Sequence, residues 1–120
     1  MGVFKVRVKI KKAGKVVERD LVVDNGSTLT WVNKDILLGL GVRPKRRKKF
    51  ILITGEKVER DVGEVTIEID GEEATVPVVF AQEHDKEVLG STALEILGYE
   101  VDPIGKKLKK VEAFLALFSR

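Results

Sequence analysis

The sequence predicts a mainly β fold with two short helices, and three patterns carry that expectation. Near the start, Phe4, Val6, Val8 and Ile10 alternate with Lys5, Arg7, Lys9 and Lys11, the period of a strand with one buried and one solvated face. Farther on, glycine-bearing turns at Ala13-Gly14, Thr54-Gly55-Glu56 and Asp70-Gly71 separate runs rich in β-branched residues, as hairpins require. Helical character is confined to two segments, NKDILLGL and STALEILG, each ending in Leu-Gly or at a glycine soon after.

Taken in order, Val3 to Lys11 is the first strand, and Ala13-Gly14-Lys15 turns it into VVERDLVVD. Asn33 is a helix N-cap, since its short side chain can accept from the first free backbone N–H groups, and Gly41 and Pro44 end that helix. Phe50 to Thr54 and Lys57 to Asp70 are strands around the turn at Gly55, and EEATVPVVFA returns from Asp70-Gly71. The second helix follows Gly90, and strand-like YEVD and an apolar segment, VEAFLALF, come after it.

The chain has 120 residues, 43% apolar and 34% charged, which fits one soluble globular domain over residues 1–120. No apolar run approaches the roughly 20 residues of a membrane helix, and MGVFKVRVKIKK lacks a signal-peptide pattern, so a cytoplasmic location and no membrane partner are expected. There is no cysteine, which excludes disulfides, thiolate metal sites and thiol nucleophiles. The one histidine, His84, stands among acids in AQEHDKE and reads as a solvated loop residue, so no metal and no cofactor are expected. Two Asn, one Gln and one Met against many Glu, Lys and Arg match a heat-adapted, thermophilic composition.

The net charge is +3, but Arg43, Lys45, Arg46, Arg47, Lys48 and Lys49 crowd one segment. Such a run suits a phosphate backbone; without interleaved aromatics it reads instead as a solvated loop whose charges guard the apolar strand FILIT.

The stretch LVVDNGSTLTWV raises a sharper question. Asn-Gly between apolar runs is the signal of a type I′ hairpin, yet the second half of the chain carries a faint copy of the same unit without it. DNGST precedes the first helix and VLGST the second, so Asp24 corresponds to Val88 and Asn25 to Leu89. What the halves share is strand, glycine, hydroxyl and helix, a loop that presents one side chain at a crevice. In one half that side chain is the carboxylate of Asp24. A lone acid is commonly structural, a cap or a partner for Arg19 or Lys34. Joined to its copy across a twofold axis, it becomes an acid-base pair able to activate water.

LVVDNGSTLTWV, the glycine-bearing hairpin ILITGEKVERDVGEV and EVLGSTALEILGYEVDP resemble the retropepsin family of homodimeric aspartic proteases, in particular its small archaeal and bacterial members, over roughly residues 15 to 105. The resemblance implies a closed β-barrel of acid-protease type and cleavage of extended polypeptides. It makes Asp24 the catalytic acid, acting with its copy in a second subunit. It places Asn25, Gly26, Ser27 and Thr28 in the active-site loop, with Gly26 allowing close approach and Ser27 donating to the outer carboxylate oxygen. The second motif falls on Val88, Leu89 and Gly90, and a substrate-covering flap on Ile53, Thr54, Gly55, Glu56 and Lys57. Asn25 departs from the family's Thr or Ser, whose hydroxyl grips across the dimer, so an attenuated or non-catalytic peptide-binding dimer is the alternative. A small basic nucleic-acid-binding β domain is a third. For VEAFLALF, the resemblance implies interleaved chain termini in the dimer; packing on its own core is the other reading.

Overall fold

The computed structural model describes residues 3–111. Strands β1 (Lys5–Lys12) and β2 (Lys15–Val23) form the first hairpin. Its turn puts Ala13 at φ 50° and Gly14 at φ 84°, the two positive values a type I′ connection needs. Next come β3 (Thr30–Asn33), helix α1 (Lys34–Leu40), β4 (Arg46–Ile51), β5 (Lys57–Ile69) and β6 (Glu72–Ala81). The chain continues through β7 (Val88–Leu89), helix α2 (Ser91–Leu97), β8 (Tyr99–Asp102) and β9 (Lys107–Lys110).

Seven strands form one sheet in the order β1-β2-β7-β3-β6-β5-β4. A further antiparallel pairing of β1 with β5, Lys9 to Glu68 through Lys11 to Thr66, rolls it into a closed barrel. Closure removes the exposed edges of β1 and β5, and β4 remains outside as the second strand of a long hairpin with β5. Strands β8 and β9 make a separate two-stranded sheet.

Alternation decides what lies inside. Val8, Ile10, Leu21, Val65, Ile67, Val76, Val78 and Leu89 are each at most 1% exposed and fill the barrel together with the buried faces of α1 and α2. Each such side chain removed from water contributes on the order of 2 kcal/mol. A second apolar cluster, Trp31, Val62, Val79, Ala81 and Val88, projects from the opposite face of β3 and β6. Trp31 and Val79 are paired in register, one step along from the inward-facing Val32 and Phe80.

Asn33 caps α1 as its sequence position suggests, with Oδ1 accepting from Asp35 N (2.8 Å) and Ile36 N (3.2 Å). Gly41 ends the helix at φ 87°. Two strands were not legible: β3 is only TWVN, and β9, KLKK, has a single apolar residue. The basic run is a correction to the sequence reading, for only Arg43 to Lys45 lie in a loop. Arg46 to Lys49 lie within β4, paired to Val62 through Glu59. Arg47 meets Asp61 at 3.1 Å and Lys45 meets Glu64 at 2.9 Å, so cross-strand acids give this run its strand register. VEAFLALF lies outside the described residues beyond Val111. No helix among the described residues is long and apolar enough to cross a membrane.

Candidate active site

Strand β2 buries Leu21 and Val23 and then leaves its ladder at Asp24, whose N–H donates to Leu89 O at 3.0 Å. Asn25 and Gly26 make the turn, and Ser27 N–H donates back to Asp24 O at 3.1 Å. Neither Asn25 nor Gly26 is among the residues with positive φ, so the Asn-Gly pair does not form a type I′ hairpin. Val22 and Val23 instead run parallel to Val88 and Leu89. The stretch is a loop built to turn away from its strand, with Asp24 exposed at its head.

The Asp24 carboxylate is held by the loop itself: Gly26 N–H donates to Oδ1 at 2.9 Å. A Cβ on Gly26 would sit 3.2 Å from that same oxygen, so glycine keeps the space around the acid open. Ser27 differs from the role the resemblance implied. Its Oγ donates to Leu29 O at 2.7 Å, so its one proton is used within the loop. The pairing of Asp24 with Arg19 or Lys34 is also overturned. Among the described residues, Asp24 makes no ion pair, and Arg19 grips Glu87 with Nε to Oε1 at 3.1 Å and Nη2 to Oε2 at 2.5 Å.

The two copies of the motif interlock. Ser91 N–H donates to Ser27 O at 2.7 Å and Thr92 N–H to Thr28 O at 3.0 Å, so carbonyls of the first loop satisfy N–H groups that the start of α2 leaves without helical partners. Gly90 N–H donates to the hydroxyl of Thr30 at 3.0 Å. Thr30 is itself buried, 1% exposed. A Cβ at Gly90 would lie 2.4 Å from Leu29 O and 2.8 Å from Ser27 O, so only glycine fits where the loops cross. Val88 and Leu89 are buried behind them.

Two ion pairs brace this floor, and neither has a direct sign in the sequence. Glu87, just before β7, also accepts from Asn33 N–H at 3.1 Å. Burial pushes its carboxyl up, but the Arg19 guanidinium and the Asn33 N–H outweigh that and hold it below the ordinary glutamate range. On the other side, Arg60 of β5 forks onto Asp85, with Nε to Oδ2 at 2.6 Å and Nη2 to Oδ1 at 2.9 Å. Arg60 holds the Asp85 carboxyl below its usual range against a smaller burial effect, helped by Gln82 N–H. Both pairs join residues far apart in sequence, so only the folded chain reveals them. His84, in the same loop, is exposed.

The hairpin between β4 and β5 turns over Leu52 to Glu56, with Leu52 N–H donating to Glu56 O and Gly55 N–H to Leu52 O, both at 2.8 Å. Gly55 is at φ 89°, and Ile53, Thr54, Glu56 and Lys57 are exposed around it. Where the hairpin joins the body, Phe50 meets Trp31 edge to face, ring centroids 5.0 Å apart. Leu52, Leu29 and Val22 pack on the same apolar cluster. Asp24 therefore stands beside an apolar wall reached by the base of a projecting hairpin. Among the described residues, no group of His, Asp and Glu is arranged to hold a metal ion.

No family model matches the chain, and no curated protein matches it. Among solved structures it is similar to the simian foamy virus (mac) protease, determined in solution, with 22% identity and a TM-score of 0.56 over 78% of this chain and 93% of that one. That likeness is one of fold: the chain has the retropepsin-like fold of a retroviral protease.

Proposed function

We propose that the protein is an aspartic endopeptidase, formed when two copies meet at the Asp24 loop. The observation that carries the reading is the state of that acid. Asp24 is exposed at the head of a loop whose floor is buried and hydrogen-bonded throughout, and among the described residues it has no cation and only a backbone N–H on Oδ1. A structural carboxylate is ordinarily consumed by its own fold; this one is presented outward.

In the dimer each subunit contributes one Asp24. Two carboxylates held about 3 Å apart cannot both ionise, so they share a proton. The ionised partner takes a proton from a water between them, while the protonated partner donates to the carbonyl oxygen of the scissile amide. Both proton-transfer groups are protein side chains, one Asp24 from each subunit. The hairpin around Gly55 covers an extended polypeptide and supplies backbone hydrogen bonds to it.

Cleavage of an unfolded protein between roughly pH 3 and pH 8, with and without a pepstatin-type inhibitor, tests the reading. Activity is expected to peak on the acid side of neutrality, to be blocked by the inhibitor and to fall by about 10³-fold or more in Asp24→Asn. A profile flat through neutrality, or cleavage retained in Asp24→Asn, overturns it.

Asn25 favours a second reading, a peptide-binding dimer that cuts slowly or not at all. Its side chain is exposed and makes no hydrogen bond among the described residues, so the cross-dimer grip depends on an amide where a hydroxyl suits the geometry. Restoring Thr at position 25 discriminates the two. A gain of about tenfold or more in cleavage identifies an attenuated protease, since small misplacements of catalytic groups carry rate penalties of that order.

A further inference from the structure

Beside the Asp24 loop, the hairpin of β1 and β2 and the segment before β7 enclose an open cleft of about 470 Å³. Its charges are unevenly used. Arg7 is held by Glu18 at 3.4 Å and by Asp20 at 3.2 Å, and Arg19 is locked onto Glu87. Every acid lining the cleft is thus engaged. Lys5 and Lys86, both exposed, line the same cleft and form no ion pair among the described residues.

The floor is Val22, and its position ties the cleft to the candidate site. Val22 lies two residues before Asp24, pairs with Val88 in the second motif and packs on the apolar cluster that contains Trp31. An extended peptide centred on Asp24 places its side chains alternately toward and away from this surface, so one position rests over Val22 between the lysines. An apolar floor with an ammonium rim suits a side chain with a short hydrocarbon stem and an anionic head.

We propose that this cleft is a substrate subsite selective for an acidic side chain, glutamate above all, with Lys5 and Lys86 as its specificity-determining residues. The inference rests on the protease reading only for where the peptide lies, and its test therefore measures binding as well as cleavage. The probe is an apolar peptide of about ten residues, long enough to fill an extended groove, carrying Glu, Leu or Lys at each position in turn. Binding is measured with the folded Asp24→Asn protein, so that the outcome does not depend on turnover.

At one position Glu is expected to bind about fivefold tighter than Leu and Lys to bind weakest, the size expected of exposed charge pairs. The order should reverse in the protein also carrying Lys5→Glu and Lys86→Glu, and stay unchanged with the remote Lys107→Glu. Both lysines are exposed, so the reversed protein is expected to keep its fold by circular dichroism. Loss of peptide binding in every form, an order indifferent to the reversal, or an equal response to Lys107→Glu overturns the proposal. Wild-type failure to cleave, with the binding order intact, would sink the protease reading and leave the subsite standing.

Discussion

The two glycine loops of this barrel share a sequence pattern and have opposite fates. In the first, Asp24, Asn25 and Gly26 are exposed; in the second, Val88 and Leu89 are 6% and 0% exposed and Gly90 is buried. The apolar copy is the floor, and the copy with a carboxylate is the feature presented on it. Hydrogen bonds from Ser91 and Thr92 to the carbonyls of Ser27 and Thr28 make the arrangement one unit. Two halves with the same pattern can thus sit one buried and one exposed when only one of them is apolar.

Replacing each glycine by alanine should break this comparison most sharply. At Gly90 the added Cβ meets two backbone carbonyls at 2.4 and 2.8 Å, contacts that no side-chain rotation can relieve. Gly90→Ala is expected to destabilise the fold by about 3 kcal/mol and to remove activity with it. Gly26→Ala meets only the Asp24 carboxylate, at 3.2 Å, and should cost less than about 1 kcal/mol while reducing cleavage severalfold. Denaturant melts and initial rates on both proteins measure the contrast; equal losses of stability would show that the loops do not differ in role.

The support under the second loop should show itself in acid. Asp85, 8% exposed at its side chain and clamped by Arg60 at 13%, has its carboxyl held below the ordinary 3.8. A carboxylate with a depressed folded value stabilises the fold above its unfolded value and loses that contribution as pH falls through the folded one. Wild-type stability should therefore decline below about pH 4, and Asp85→Asn, which strands the Arg60 charge, should cost about 3 kcal/mol at neutral pH and flatten the acid decline. Melting temperature followed from neutrality into acid reads both effects, and an unchanged acid limb in the variant would assign the decline to other groups.

The smallest effect compares the two hydroxyls that follow the glycines. Ser27 Oγ donates to Leu29 O at 2.7 Å, whereas the Ser91 side chain makes no hydrogen bond among the described residues. Ser27→Ala is expected to cost about 1 kcal/mol and Ser91→Ala a few tenths. If the two cost the same, the hydroxyl in the first loop has no separate structural part.

Much of this molecule was legible before folding because its signals are local. The alternation of Phe4 to Lys11, the Asp70-Gly71 turn, the Asn33 cap and the Gly41 stop each depend on a few neighbouring residues, and each occurs as its chemistry requires. The recurrence of Gly-Ser-Thr likewise matched two loops that the fold hydrogen-bonds to each other. β3 was missed because its two apolar residues, Trp31 and Val32, carry no period. The basic run was mistaken for a loop because its register comes from Glu59 and Asp61 on another strand.

By itself, then, the sequence determined the mainly β class, the hairpins, the helix ends and the choice between the two loops of which one bears a carboxylate. Tertiary structure alone decided barrel closure through β1 and β5, the negative φ of Asn25 and Gly26, the transfer of the Ser27 hydrogen bond to Leu29 and the pairing of Arg19 with Glu87, 68 residues away. The physical reason is range: turns and caps are settled by backbone sterics and hydrogen bonds within one turn of chain. Loop conformation and ion-pair choice are settled by whichever distant backbone and charge the fold brings alongside.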